Sequence, residues 1–248
     1  MRSIRGFLAI AAVGLLSGVA HADDDTIQQL LTGSDDLFRG ASSTATMTME
    51  IKTARYERSV TMQTWTQGTE RSLIRITEPA KDRGVATLKV EDNIWNYLPK
   101  ADRTVKVPAS MMSGSWMGSH ITNDDLVQES RLSEDFDYTL TQSPEQGHDG
   151  YVVELVPKPD APVVWGKIVA SFRADRLPTS TTFHDEDGSL VRTMSYDNYQ
   201  DIGGRLIPTS FMVVPADKPE EFTRMTYAEL AFDVEIPDSM FTKQALNR

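Results

Sequence analysis

From Thr44 onward the apolar residues recur at every second position, and no helical pattern of crossover length divides the later segments. Ala45, Met47, Met49 and Ile51 share one parity, while Thr44, Thr46, Thr48 and Glu50 take the other. That is the signature of a strand with one buried face. Further strand-like runs are expected at 58–66, 71–77, 85–91, 93–98 and 103–107, then at 135–142, 150–156, 164–173, 179–185, 190–200, 206–214 and 222–234. Asp187-Gly188 and Gly203-Gly204 supply hairpin turns, and Asp92-Asn93 marks another. Parallel neighbours need a crossover of a dozen or more residues, usually helical. About a dozen antiparallel strands in one chain imply a barrel or a strongly curled sheet. The expected fold is mainly β with short helices, in a single domain.

Helices are expected only at the two ends. Asp23-Asp24-Asp25 puts acids where a helix dipole favours them, Ile27, Leu30, Leu31, Leu37 and Phe38 supply an apolar stripe, and Gly40 stands where a C-terminal cap belongs. Asp238 to Asn247 predicts a short terminal helix anchored by Phe241 and Leu246. Ahead of the first helix, residues 1–22 read as a secretory signal peptide. Arg2 and Arg5 form a charged start, Phe7 to Ala20 an apolar core, and Ala20-His21-Ala22 a cleavage site. The core is shorter than the roughly 20 apolar residues of a membrane span. The expected product, residues 23–248, is therefore exported and carries no integral membrane segment.

The chain has no cysteine, which excludes disulfides, thiolate catalysis, cysteine zinc sites and lipidation of a cysteine. Its formal net charge of -11 repels nucleic acid and anionic headgroups within a Debye length. Nucleic acid is therefore not an expected partner.

Residues 95–126 stand apart from the strands. They begin as strand, pass Pro99 and Pro108, and become a Met- and Trp-rich stretch containing Met111, Met112, Trp116 and Met117, before closing on Thr122-Asn123-Asp124-Asp125. Methionine adapts to irregular partners, so this segment reads as a lid over an apolar surface. The strands supply such a surface: Met47, Met49, Met62, Trp65, Trp95, Trp165, Met194, Met212 and Met225 all fall in strand-like runs. Large flexible side chains line variable ligands well. Lys100 and Arg103 are expected to latch the lid by reaching its carbonyls or Asp124 and Asp125. An exposed pair of that kind contributes only ~0–1 kcal/mol, a size suited to something that opens.

Catalytic patterns are missing. His120, His148 and His184 are far apart and fit no metal spacing. Gly114 to Gly118 has glycines four apart, but Ser115 occupies the wrong position for a nucleophile elbow and the flanks are not strand-turn-helix. Asp185 to Gly188 reads as a hairpin tip rather than a calcium loop. No cofactor or metal is expected, and an enzyme is not.

Several segments together resemble one family. They are I-W-N-Y-L-P-K at 94–100, R-T-V-K-V-P at 103–108 and S-W-M-G-S-H-I-T-N-D-D-L at 115–126, with D-E-D-G-S-L-V-R at 185–192, G-G-R-L-I-P at 203–208 and I-P-D-S-M-F-T at 236–242. The chain is similar to the LolA-like group of outer-membrane lipoprotein-sorting proteins, and longer than its compact carrier. The resemblance implies a half-open β-barrel whose concave apolar face is covered by short helices acting as a lid. It implies a non-enzymatic periplasmic carrier for acyl chains of lipoproteins or other lipid cargo, with an inner-membrane transporter as donor and an outer-membrane acceptor. The alternative is an accessory or sensing subunit of a lipid-exporting transporter or an envelope-stress pathway.

Overall fold

The computed structural model describes residues 18–128, 135–161 and 163–247. All thirteen strands belong to one antiparallel sheet, in the order β6-β5-β4-β3-β2-β1-β13-β12-β11-β10-β9-β8-β7. The first meander comprises β1 (Ser42–Lys52), β2 (Glu57–Gln67), β3 (Arg71–Glu78), β4 (Ala86–Val90), β5 (Asn93–Leu98) and β6 (Arg103–Lys106). The second comprises β7 (Phe136–Gln142), β8 (Gly150–Pro157), β9 (Lys167–Arg173), β10 (Pro178–His184), β11 (Leu190–Ile202), β12 (Arg205–Pro215) and β13 (Phe222–Phe232). They join where β13 pairs with β1, so β6 and β7 form the two open edges. Register irregularities at Thr46/Met47, Thr61/Met62, Leu140/Gln142 and Phe183/His184 increase the local twist and curl the sheet. The result is a half-open barrel, as the family resemblance implies, where the strand pattern alone allowed a barrel or a strongly curled sheet.

The turns follow from backbone chemistry. Gly203 and Gly204 both have positive φ, at 62° and 82°, the conformation that a two-residue hairpin between β11 and β12 demands. The β4–β5 turn falls on Glu91 and Asp92, with Glu91 at φ 52°. That is one residue earlier than expected, since Asn93 already pairs with Val90.

Two opposite faces of this sheet are apolar. On the concave face lie Met47, Met49, Ile51, Val60, Met62 and Ile76, continuing through Met225, Val213 and Met194. Further round, the same face carries Phe172, Ala170, Ile168, Tyr151, Val153, Leu155 and Phe136. Here α1 (Gly18–Leu37) packs across the strands through Ile27, Leu30 and Leu31. Helix α1 starts before the expected cleavage point at Ala22, and ends three residues before Gly40, whose φ is 58°.

Among the described residues, the convex face is covered around β3–β5. Leu73, Ala86 and Leu88 lie there beneath Phe241, Ala245 and Leu246. The expected terminal helix is two short 3-10 turns, Asp238–Phe241 and Lys243–Asn247. They are tied down by the Arg75 guanidinium, which donates to the Ala245 carbonyl at 2.5 Å. Leu246 is 1% exposed, so Leu246→Ala is expected to destabilise the fold by about 2–5 kcal/mol in a urea titration, the usual cost of truncating a buried leucine. Hydrogen exchange at residues 112–126, on the opposite face, should then stay unchanged under native conditions.

Candidate functional site: a plugged concave face

The chain between β6 and β7 has to pass from one edge of the sheet to the other, and its described part, residues 107–128, lies over the concave face. Within it, Ser115 bridges to Thr122 and the chain reverses at Trp116–Ser119. Met117 and Gly118 both take positive φ, 54° and 73°, and Ser119 N–H donates to the Trp116 carbonyl at 2.9 Å. A Cβ on Gly118 would stand 2.8 Å from the Tyr56 hydroxyl, which donates to the Gly118 carbonyl. The hairpin tip therefore requires glycine both for its conformation and for its clearance. It drives Trp116, 3% exposed, into the methionine cluster, with Ile121 beside it and Met117 and Leu126 packed against it. The indole Nε1–H donates to Thr87 Oγ1 at 3.1 Å, and Thr87 in turn donates to Asn96 Oδ1 at 2.7 Å. Burying such an indole without a partner for its N–H is costly, and Thr87 removes that cost.

Polar contacts fix the rim of this plug. Arg192 grips the Asp125 carboxylate with both terminal nitrogens, at 2.7 and 2.5 Å, and also donates to the His120 carbonyl at 3.3 Å. Its guanidinium lies over the rings of Phe183 and Trp165, 4.2 and 4.6 Å from their centroids. Asp125 also accepts from Thr122 N–H, and Thr122 Oγ1 accepts from Asp125 N–H, capping α2 (Asp125–Gln128). On the opposite side His120 meets Thr223 through its backbone N–H and Nδ1, both at 2.9 Å, and Glu221 through Nε2 at 3.2 Å. Backbone hydrogen bonding from Ala54 and the His120 contact hold the Glu221 carboxyl below its ordinary range. Asn123 caps the Met111 and Gly114 carbonyls, each at 3.1 Å.

Asp124 is a costly neighbour of the ion pair. Burial, the charge of Asp125 and the charge of Asp135 push its pKa from 3.8 up to about 6, against the opposing pull of Arg192.

The expected binding residues divide between the two faces. Met47, Met49, Met62, Trp116 and Met117 come together on the concave side. Met111 and Met112 lie at the outer rim of the crossing segment, Met111 being 57% exposed. Trp65 and Trp95 belong to the convex face, among the residues under the C-terminal turns. Met212 is also on the convex face, where Arg224 contacts its sulfur at 3.7 Å. Trp165 lies just before β9 and packs against Phe183 with the rings tilted by 52°, 5.0 Å between centroids. The expected latch is built differently. Asp125 pairs with Arg192 rather than with Lys100 or Arg103; Arg103 sits on the edge strand with its side chain exposed, and Lys100 is exposed on the turn before it. The missed cation was readable in part, since Arg192 shares its parity with buried Met194. Nothing in the local sequence pointed to Thr87 or Thr223, whose roles depend on pairing across the sheet.

An open antiparallel sheet curled over one apolar face, with a connecting segment inserted into that face, defines a half-open barrel of the LolA-like type. The chain belongs to the family whose model, described as "Uncharacterized protein", matches residues 68–248. Among solved structures, it resembles a DUF1329 family protein from Desulfovibrio piger at 22% identity, with a TM-score of 0.80 and coverage of 90% of this chain and 99% of that one. An outer membrane lipoprotein-sorting protein domain from Vibrio parahaemolyticus is 21% identical, with a TM-score of 0.74 over 89% of this chain and 97% of that one. A LolA superfamily protein from Nitrosomonas europaea is 24% identical, with a TM-score of 0.72 over 88% and 98%. No curated protein matches the sequence. Among the described residues, no helix is long and apolar enough to cross a membrane, and no cluster of three or more His, Asp or Glu could hold a metal ion.

Two outcomes follow from the rim. Arg192→Met strands the Asp125 charge, so the closed state should lose about 3–5 kcal/mol, the cost of breaking a buried pair from one side. Hydrogen exchange and limited proteolysis at 112–126 should rise well before global unfolding. Asp124 acts through its proton. The folded chain binds that proton more tightly than the unfolded chain, so its contribution is complete below about pH 4 and is lost as pH rises through about 6. Asp124→Asn should flatten the pH dependence of thermal stability between pH 4 and 6 and raise the Tm at pH 7.

Proposed function

We propose that this protein is a non-enzymatic carrier that takes acyl chains or a comparable hydrophobic cargo onto the concave face, in the place held by the Trp116 plug. One observation carries the reading. The methionine surface of Met47, Met49, Met62, Met194 and Met225 is covered by a connecting segment rather than a second sheet. A cover of this kind, apolar at its centre and held by polar contacts at its rim, is displaceable without breaking the sheet. Methionine side chains then re-pack around chains of varied shape.

The energetics suit transfer. Each methylene buried is worth about 0.8 kcal/mol. Complete burial of two long chains would exceed ~20 kcal/mol, near the ceiling of non-covalent affinity and too tight for release. Displacing Trp116, Met117 and Ile121 and parting Arg192 from Asp125 offsets part of that gain. Export by the leader at 1–22 and residence in the periplasm belong to this reading. They are supported by Arg2, Arg5, the Phe7–Ala20 core and the Ala20-His21-Ala22 site. The similarity in fold to a lipoprotein-sorting protein domain supports lipoprotein acyl chains as one cargo. A donor in the inner membrane and an acceptor at the outer membrane follow from the direction such traffic must take.

The test is native mass spectrometry of the exported chain, purified gently and then extracted with organic solvent. A discrete added mass that proves to be a lipid or acylated species is expected. Trp116→Ala should change the retained fraction about ten-fold or more, corresponding to ~1.4 kcal/mol of plug displacement, while native secondary structure persists. An apo mass that added lipids and lipopeptides leave unshifted would reject carriage and favour an accessory or sensing role.

A further inference from the structure

Strand β6 is an open edge with an unusual charge. Arg103-Thr104-Val105-Lys106 is exposed at all four positions and pairs only with β5. Val107 N–H donates to the Ile94 carbonyl at 2.9 Å, which sets the alternation along the ladder. Val105 faces Asn96 and Arg103 faces Leu98 as inward hydrogen-bonded pairs, so the N–H and C=O groups of Thr104 and Lys106 point away from the sheet. An unpaired edge is a template for another strand, and proteins blunt it with a helix, a proline, brevity or charged side chains; β6 is short and basic, which turns away neutral and basic strands but not an acidic one. Here two residue-long backbone repeats stay open.

The side chains select what can pair there. In a chain of net charge -11, this edge gathers Lys100, Arg103 and Lys106, and among the described residues none of the three forms an ion pair with an acid. Lys106 and Lys243 both lie over Trp95 on the convex side, 5.9 and 4.8 Å from its ring centroid. Arg103 projects to the concave side with exposed Leu98 and Val105. Asp102 is the nearby acid, and it accepts from the Tyr97 hydroxyl at 3.0 Å. A second copy of the chain is a poor occupant. The outward groups of Thr104 and Lys106 allow antiparallel self-pairing centred on Val105, which would bring the two Lys106 side chains together diagonally on one face, between two chains that each carry a net charge of -11.

We propose that β6 is a docking edge for an extended acidic segment of a partner protein, added as a fourteenth strand. Its recognition elements are four outward backbone groups, an acidic residue toward Arg103 on the concave side, another toward Lys106 and Lys243 on the convex side, and an apolar residue against Val105. The assignment does not depend on cargo.

The test uses the full exported chain, isotope-labelled, and a capped heptapeptide alternating threonine and valine with two glutamates on opposite faces. Its counterpart with lysines replacing the glutamates is the control. Binding is followed by amide shifts and hydrogen exchange. The acidic peptide should protect the Thr104 and Lys106 amides and bind at least about ten-fold tighter than the basic one, with the difference shrinking in high salt. Thr104→Pro removes an outward donor and leaves the β5 ladder intact, as proline is tolerated on the solvent side of an edge strand. It should abolish amide protection at unchanged Tm, and Arg103→Glu with Lys106→Glu should reverse the peptide preference. Equal binding of both peptides, or binding unaffected by Thr104→Pro, would overturn strand addition. If anionic phosphatidylglycerol vesicles shift the same residues without protecting their amides, while the acidic peptide shifts none, the edge is a membrane contact and the proposal is wrong.

Discussion

β6 and β7 are successive strands in the chain and occupy opposite edges of the sheet. Everything distinctive about this molecule depends on that connectivity. A chain that leaves one edge and returns at the other must cross a face, and the sheet's curl makes the concave crossing short. The cover of the apolar face is thus a tether fixed at both ends. On the proposed reading it lifts without being lost, and the position it holds in the structure is specified by what it touches midway. A second sheet, as in a sandwich, would bury the same area through ladders of hydrogen bonds and could not be withdrawn one hairpin at a time.

The contacts midway divide into two kinds. Trp116 and Ile121 supply apolar burial, which is strong but imposes little direction. Direction comes from the rim: the two-pronged grip of Arg192 on Asp125, the bond from Trp116 to Thr87, and His120 between Thr223 and Glu221. A desolvated ion pair adds little net stability over an apolar pair of equal volume, yet it penalises misplacement heavily. Asp124 acts in the other sense. A carboxyl whose pKa is pushed up to about 6 is a net cost to the closed state at neutral pH. The closed arrangement is therefore well specified and less stable than the same fold would be with an amide at that position.

The two-residue period of the strands made the sheet legible, because each strand is buried mainly on one face and Met47, Met49 and Met62 advertise it. Parity also carried more than it was asked for. Arg192 stands two residues before buried Met194, and a cation on an inward parity needs an inward acid. The tryptophans misled for a physical reason. A sheet with apolar side chains on both faces breaks the link between large apolar residue and cavity, and Trp65 and Trp95 answer to the C-terminal turns instead. Those turns cover the far side only because the last residues fold back across β3–β5, a long-range event with no local signal. Lys100 and Arg103 were close to the lid in sequence, and the crossing carried the acids away from them toward β11.

The same crossing links the edge strand to the plug. β6 ends at Lys106, and the chain passes Pro108 and a single 3-10 turn, Ala109–Met111, before the hairpin that carries Trp116. Any segment that pairs with β6 fixes the point from which the plug is suspended. Such pairing changes the balance between closed and open forms only to the extent that it binds one more tightly than the other. A segment held on β6 in the proposed way would fix one end of residues 107–115, and the same stretch carries Trp116 to Thr87, so the two proposed sites share one short piece of backbone.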